Sequence, residues 1–151
     1  MSKPMNKENK IFPELKLNSA CLDQHALVMK KGFEIQPNAI WLMLTVSELS
    51  EALEADRKNK HADLAAFEDK LPVVFIAKGC EPMMSVTEEE AKRIFKEQFE
   101  LHIKDTFEDE IADAFLRLMQ LCGAHKIDIE RHIQLKAMYN QLRPPKHGKA
   151  Y

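Results

Sequence analysis

One run of sequence, residues 39–60, constrains the fold more than any other part of the chain: AIWLMLTVSELSEALEADRKNK. Its apolar residues recur three and four positions apart, which is the period of an amphipathic helix. The residues that supply this apolar side are Ile40, Leu42, Met43, Val46, Leu49 and Leu53. With only four glycines among 151 residues, the chain has little room for a turn-rich β architecture. We therefore expect an all-α fold.

Helix start and stop signals organise the rest of the chain. A first periodic run begins near residue 17 and stops at Gly32, which is suited to the residue after a helix. Side chains able to cap a helix N-terminus precede three later runs: Thr87, Thr106 and Asp128. These signals predict a helical bundle of four long helices at 18–143, with an irregular insertion at about 60–86 between the second and third helices. A polar arm at 1–17 and a basic tail at 144–151 flank this domain.

Composition excludes several classes of protein. The net charge is −2, from 24 acidic and 22 basic side chains, so no general attraction to nucleic acid or to a membrane surface is expected. Three cysteines without a CxxC pair argue against a disulfide framework and favour a reducing, cytoplasmic location. No stretch approaches the roughly 18 consecutive apolar residues of a membrane span.

Two pairs of carboxylates stand at helical spacing. Glu48 and Glu51 are three residues apart, as are Glu110 and Asp113, so each pair shares one helix face. The pair Glu110 and Asp113 is flanked by residues expected in the core: Ile111, Ala112, Ala114 and Phe115. Four carboxylates from two helices would repel one another without a cation, and an all-oxygen set suits Mg²⁺ or Mn²⁺. On this view the apolar side of the long helix holds the bundle and the acidic side holds metal, although such pairs commonly form a solvated face.

These motifs resemble a known family. Glu48-x-x-Glu51 followed by Glu110-x-x-Asp113, with the closing helix KAMYNQLR and the tail PKHGK, is similar to the pattern of MazG-like nucleotide pyrophosphohydrolases. The resemblance implies an all-α, Mg²⁺-dependent enzyme that cleaves a nucleoside triphosphate to the monophosphate and pyrophosphate, as a homodimer or homotetramer. It also implies that all four carboxylates are metal ligands. The chain departs from the pattern at Ser47, where the family often has glutamate, and in the long connection 52–109.

Other residues are candidates for catalysis and for phosphate binding. Glu51 or Glu110 is the candidate to orient or deprotonate the attacking water. Basic and amide side chains near the end of the chain are candidates to bind phosphate oxygens: Lys136, Asn140, Arg143, Lys146 and Lys149. The alternative for this last group is a solvated terminus.

Three residues are candidates for base recognition. Trp41 lies seven positions before Glu48 on the same helix face, so its ring could stack on a base, although a single tryptophan is more often part of a core. His25 and Gln24 could read a base edge from the first helix, or could simply lie on its surface. We expect a cytoplasmic pyrophosphohydrolase acting on a (d)NTP or a damaged analogue. The alternatives are a pyrophosphatase preferring dUTP or dCTP, and a non-enzymatic helical interaction or regulatory protein.

Overall fold

The computed structural model describes residues 16–71 and 87–143. These residues form six helices: α1 (Leu17–Lys30), α2 (Asn38–Arg57), α3 (Leu64–Lys70), α4 (Glu88–His102), α5 (Phe107–Ala124) and α6 (Ile129–Gln141). No strand occurs among them, so the all-α class is confirmed for this part of the chain. Five of the helices have 13 or more residues, which is one more than the four long helices expected.

Local capping explains where several helices begin and end. Thr87 Oγ1 accepts a hydrogen bond from the Glu90 N–H at 3.2 Å, and Asp128 Oδ1 accepts one from the Arg131 N–H at 3.2 Å. Each bond satisfies a backbone donor that has no partner within its own helix. After α1, Gly32 adopts a φ of 86°, a left-handed conformation that glycine enters without a side-chain clash. These boundaries follow the sequence signals.

The chain divides into two compact units, and helices α2 and α5 each have residues in both. The described part of unit 1 comprises residues 16–41 and 116–143. Here α1 packs against α6, and Asn18 joins the two helix N-termini. Its backbone N–H donates to Glu130 Oε1 and its Nδ2 donates to Asp128 Oδ1, both at 2.8 Å. The Glu130 N–H donates in return to Asn18 Oδ1 at 3.2 Å. Hydrogen bonds in both directions therefore fix the register of α1 on α6.

The described part of unit 2 comprises residues 42–71 and 87–115. The short helix α3 packs on α4 through Phe67, whose ring lies edge-on to those of Phe95 and Phe99, with centroids 5.5 and 6.3 Å away. Such edge-to-face contacts add to the burial of apolar area. This packing places the connection after α2 beside the turn between α4 and α5.

Hydrogen bonds donated by backbone N–H groups tie that connection to the start of α5 and the end of α4. The Phe107 N–H donates to the Lys60 carbonyl at 2.9 Å, and the Ala62 N–H donates to Glu108 Oε2 at 2.9 Å. The Asp63 N–H also donates to the His102 carbonyl at 3.1 Å. The end of α2 is thereby held against the start of α5, which is the arrangement on which the carboxylate site depends.

The interior face of α2 differs from the one predicted. Its buried side chains recur three or four positions apart, and all but the first are small or polar: Trp41, Thr45, Glu48, Ala52 and Ala55. The expected apolar side is largely exposed, with Leu42, Met43, Val46, Leu49 and Leu53 between 48% and 65% accessible. The prediction that this apolar side forms the core is therefore wrong. Phe115, also expected in the core, is 63% exposed.

Several sequence predictions fall outside the described residues. They concern most of the N-terminal arm (1–15), the greater part of the insertion (72–86) and the basic tail (144–151) with Lys146 and Lys149. Within the described residues, none of the helices combines the length and apolar character needed to cross a membrane.

Candidate functional site

Helix α2 supplies two carboxylates of the candidate site. Glu48 belongs to the buried stripe and is only 8% exposed, whereas Glu51, almost one turn later, is exposed. The alanines at 52 and 55 continue the buried stripe with little volume, so a neighbouring helix can approach closely. Ser47 Oγ donates to Glu51 Oε1 at 3.3 Å and so orients the exposed carboxylate.

Helix α5 supplies the third carboxylate. Thr106 caps the helix, with its Oγ1 accepting from the Asp109 N–H at 3.4 Å, and the Glu110 N–H donates to the Thr106 carbonyl at 3.0 Å. Glu110 is 6% exposed, and Thr106 and Ala114 on the same face are also buried. The first turn of α5 therefore directs one carboxylate into the interior of unit 2.

The structure brings Glu48, Glu51 and Glu110 together. One carboxylate oxygen from each residue lies within 4.8 Å of the corresponding oxygens of the other two. An octahedral Mg²⁺ with bonds of about 2.1 Å would hold opposite ligand oxygens about 4.2 Å apart. Adjacent ligand oxygens of such an ion lie about 3.0 Å apart. The three oxygens, which lie within 4.8 Å of one another, would therefore have to move closer together to bind one ion. Two buried ligands and one exposed ligand would leave the site open on the Glu51 side.

Within the cluster, the pKa of the Glu110 carboxyl is raised from its usual value. Burial raises the pKa of the Glu110 carboxyl, and the negative charges of Glu51, Asp109, Glu48 and Asp113 raise it further. Because every one of these causes disfavours the ionised form, this carboxyl holds a proton more tightly than an exposed glutamate does. A divalent cation would reverse that preference, since it stabilises the ionised ligands.

Asp113 has a different position from the three glutamates. It is exposed and does not belong to the group within 4.8 Å, although its charge contributes to the raised pKa of Glu110. Its role as a fourth ligand stays a prediction.

Ser47 also contributes to the site through its hydrogen bond to Glu51. The sequence interpretation treats it only as a departure from the family pattern. Its spacing of four residues from Glu51 on one helix was the available signal.

The base-recognition candidates lie in unit 1. Trp41 is 2% exposed, and its ring stands edge-on to that of His125 with centroids 6.0 Å apart. This is the environment of a core residue, so stacking on a base would require the ring to be uncovered. Gln24 is half-buried, and His25 Nδ1 is buried with no hydrogen-bond partner among the described residues. Base binding by these three residues stays a prediction.

The phosphate-binding candidates lie on and after α6. Lys136 places its Nζ 5.1 Å from the centroid of the Tyr139 ring, a cation–π contact, and is exposed. Asn140 and Arg143 are also exposed. Lys146 and Lys149 lie beyond the described residues, so the five candidates stay a predicted set.

Comparison with known proteins adds no relative: no protein-family model, curated protein or solved structure matches the chain. The resemblance to MazG-like enzymes rests on the motif residues alone. Any function must therefore be argued from the chemistry of the carboxylate site.

Proposed function

We propose that this chain is a Mg²⁺-dependent pyrophosphohydrolase that converts a nucleoside triphosphate, a (d)NTP or a damaged analogue, to the monophosphate and pyrophosphate. The observation that carries the proposal is the grouping of Glu48, Glu51 and Glu110 from two helices, with two of them buried. Buried carboxylates are costly unless they are paired, protonated or bound to a cation.

The site's chemistry fits phosphoanhydride hydrolysis. Bound Mg²⁺ would neutralise charge on the triphosphate and on the departing pyrophosphate. Glu48 and Glu110 would hold the cation from the interior of unit 2. Glu51, exposed and oriented by Ser47, would stand where water and substrate enter. Glu51 or Glu110 would accept the proton of the attacking water, and Asp113 would serve as a further ligand at the rim.

The proposal has further parts. Assembly as a homodimer or homotetramer follows from the resemblance. A bundle in which four long helices pack together, a cytoplasmic location and Mn²⁺ as an alternative cation follow from the sequence patterns. Within the enzyme class, a preference for dUTP or dCTP is the alternative. The rival from another class is a helical interaction or regulatory protein, which the exposed apolar side chains of α2 favour.

The deciding experiment is a panel of nucleoside triphosphates incubated with Mg²⁺, with the products identified by chromatography. We expect monophosphate and pyrophosphate, and no turnover after chelation of divalent cations. Water labelled with ¹⁸O would show which phosphorus is attacked, since attack on the α-phosphorus places the label in the monophosphate. Glu110→Gln, purified in parallel, controls for contaminating hydrolases.

Two results would refute the proposal. Nucleoside diphosphate and orthophosphate as products would exclude a pyrophosphohydrolase. Absence of turnover with every nucleotide, in a preparation with normal helix content, would favour the interaction protein.

A further inference from the structure

Unit 1 contains two thiols that contact each other. Cys21 lies on α1 and Cys122 lies near the end of α5, and the two residues are 3% and 8% exposed. Their side chains are hydrogen-bonded to each other. The two cysteines are far apart in the sequence, so the packing of α1 against α5 is what pairs them.

A glycine beside Cys122 explains how the two helices come so close. A Cβ added at Gly123 would lie 2.1 Å from the carbonyl oxygen of Cys21, so the backbone of α5 meets that of α1 with no side chain between them. Disulfides require closely spaced backbones, with Cα atoms about 4.4–6.8 Å apart. The approach of the two helices is of the kind that such a bond needs.

A cavity gives small molecules a route to the thiols. Both cysteines line a cavity of about 420 Å³ within unit 1. The exposed residues Leu22 and Lys126 line the same cavity, so it opens to solvent. A water molecule occupies roughly 30 Å³ in the liquid, and hydrogen peroxide is only slightly larger than water. A peroxide therefore reaches the cysteines without unfolding unit 1.

We propose that Cys21 and Cys122 form a redox-sensitive site, in which a peroxide converts the two thiols to a disulfide that links α1 to α5. The Cys122 thiolate attacks one peroxide oxygen, so that an S–O bond forms, the O–O bond breaks and the released hydroxide leaves as water after taking up a proton. The Cys21 thiolate then attacks Cys122 Sγ, so that the S–S bond forms, the S–O bond breaks and a second water leaves. Two thiols thus give two electrons and two protons to one peroxide.

The surroundings of the thiols set the order and the speed of these steps. Burial raises the pKa of both thiols. At Cys21 the charge of ionised Cys122 and the hydrogen bond to it raise the pKa further, whereas the same hydrogen bond lowers the pKa of Cys122. Cys122 is therefore the thiol that ionises first. Because only a thiolate attacks, the raised pKa values make the reaction slow at neutral pH, which suits a site that responds to sustained oxidant.

The test is exposure of the folded, full-length protein to hydrogen peroxide, followed by alkylation of free thiols and peptide mapping without reduction. We expect a disulfide between Cys21 and Cys122 as the main linkage, reversed by dithiothreitol. Its formation removes two hydrogen atoms from the intact mass, whereas oxidation of methionine adds oxygen. Cys80→Ser keeps the pair and should give the same linkage. The inference stands whether or not the chain hydrolyses nucleotides.

Oxidation of the same protein in urea is the matched comparison. An unfolded chain closes short loops more readily than long ones, and both loops that end at Cys80 are shorter than the loop between Cys21 and Cys122. Disulfides to Cys80 should therefore dominate in urea, and the linkage between Cys21 and Cys122 should dominate in the folded protein. This comparison uses the wild-type chain alone, so it does not depend on whether a cysteine variant folds.

Three outcomes would overturn the inference. Thiols at Cys21 and Cys122 that stay reduced while methionines become oxidised would show that the pair is inert. A disulfide of the folded protein that uses Cys80, or that joins two chains, would show that other thiols react first. The same mixture of disulfides with and without urea would assign the linkage to unfolded molecules.

Discussion

Among the described residues, buried carboxylates occur in one unit of this protein and not in the other. Unit 1 buries neutral polar groups, the thiols of Cys21 and Cys122 and the amides of Gln120 and Gln134. Unit 2 buries the carboxylates of Glu48 and Glu110 as well as the hydroxyls of Thr45 and Thr106. Burial raises the pKa of both thiols, so they stay uncharged at neutral pH. Neutral groups need only hydrogen bonds in an interior, whereas carboxylates also need a proton, a paired charge or a cation. If the proposed cation binds in unit 2, the stability of unit 2 should depend on that cation and the stability of unit 1 should not.

The largest expected effect tests whether the carboxylates of unit 2 act on a reaction. Glu48→Gln, Glu51→Gln and Glu110→Gln each remove a metal-binding charge at nearly constant shape, so turnover should fall by at least about a hundredfold. Glu54→Gln is the control, because Glu54 is an exposed α2 glutamate that pairs with Lys58 at 3.1 Å. Steady-state release of pyrophosphate is the measurement. Near-normal rates in all three site variants would make these carboxylates structural.

The next effect concerns cation binding without any reaction. A cation that binds only folded unit 2 raises the free energy of unfolding, by about 2.7 kcal/mol at a hundred times its dissociation constant. Urea denaturation with and without Mg²⁺ should therefore show stabilisation of the wild type and of Glu54→Gln, and little of Glu110→Gln. Equal stabilisation of all three proteins would place the cation elsewhere.

A comparable effect is expected from crowding in unit 1. A Cβ added at Gly123 would lie 2.1 Å from the carbonyl oxygen of Cys21 and 2.8 Å from the Cβ of His25. Gly123→Ala should therefore lower the free energy of unfolding by about 1–3 kcal/mol, as overpacking does. In an exposed helix the same change stabilises by roughly 1 kcal/mol, so the sign of the effect is the test. Ala112→Gly, at an exposed position of the same helix, calibrates the contribution of helix propensity.

The smallest effect concerns pH in the absence of divalent cations. The pKa of Glu110 is raised in the folded state, so the folded protein binds this proton more tightly than the unfolded chain. Stability should therefore fall as the pH rises from the unfolded pKa, near 4.5, through the higher folded pKa, and then level off. Glu110→Gln should lack this loss and be more stable than the wild type at neutral pH. A steeper loss in the variant would contradict the assignment.

Much of the secondary structure could be predicted because its causes are local. Thr87 and Asp128 cap their helices through hydrogen bonds to N–H groups three residues away. Gly32 ends α1 through its own backbone conformation. By contrast, the interior face of α2 was predicted wrongly. Periodicity shows that a helix has an apolar stripe. Whether that stripe is buried depends on which other parts of the protein pack against it.

The sequence by itself determined which residues of one helix stand side by side. Glu48 and Glu51 are near neighbours in any helix, because 3.6 residues per turn fixes the spacing. Only the tertiary structure decided that a carboxylate oxygen of Glu110 lies within 4.8 Å of those of Glu48 and Glu51, and that Trp41 is buried beside His125. Distances between helices depend on side-chain volumes and on hydrogen bonds between residues distant in the sequence, such as that from the Phe107 N–H to the Lys60 carbonyl. Such contacts join residues far apart in the sequence, so no local pattern specifies them.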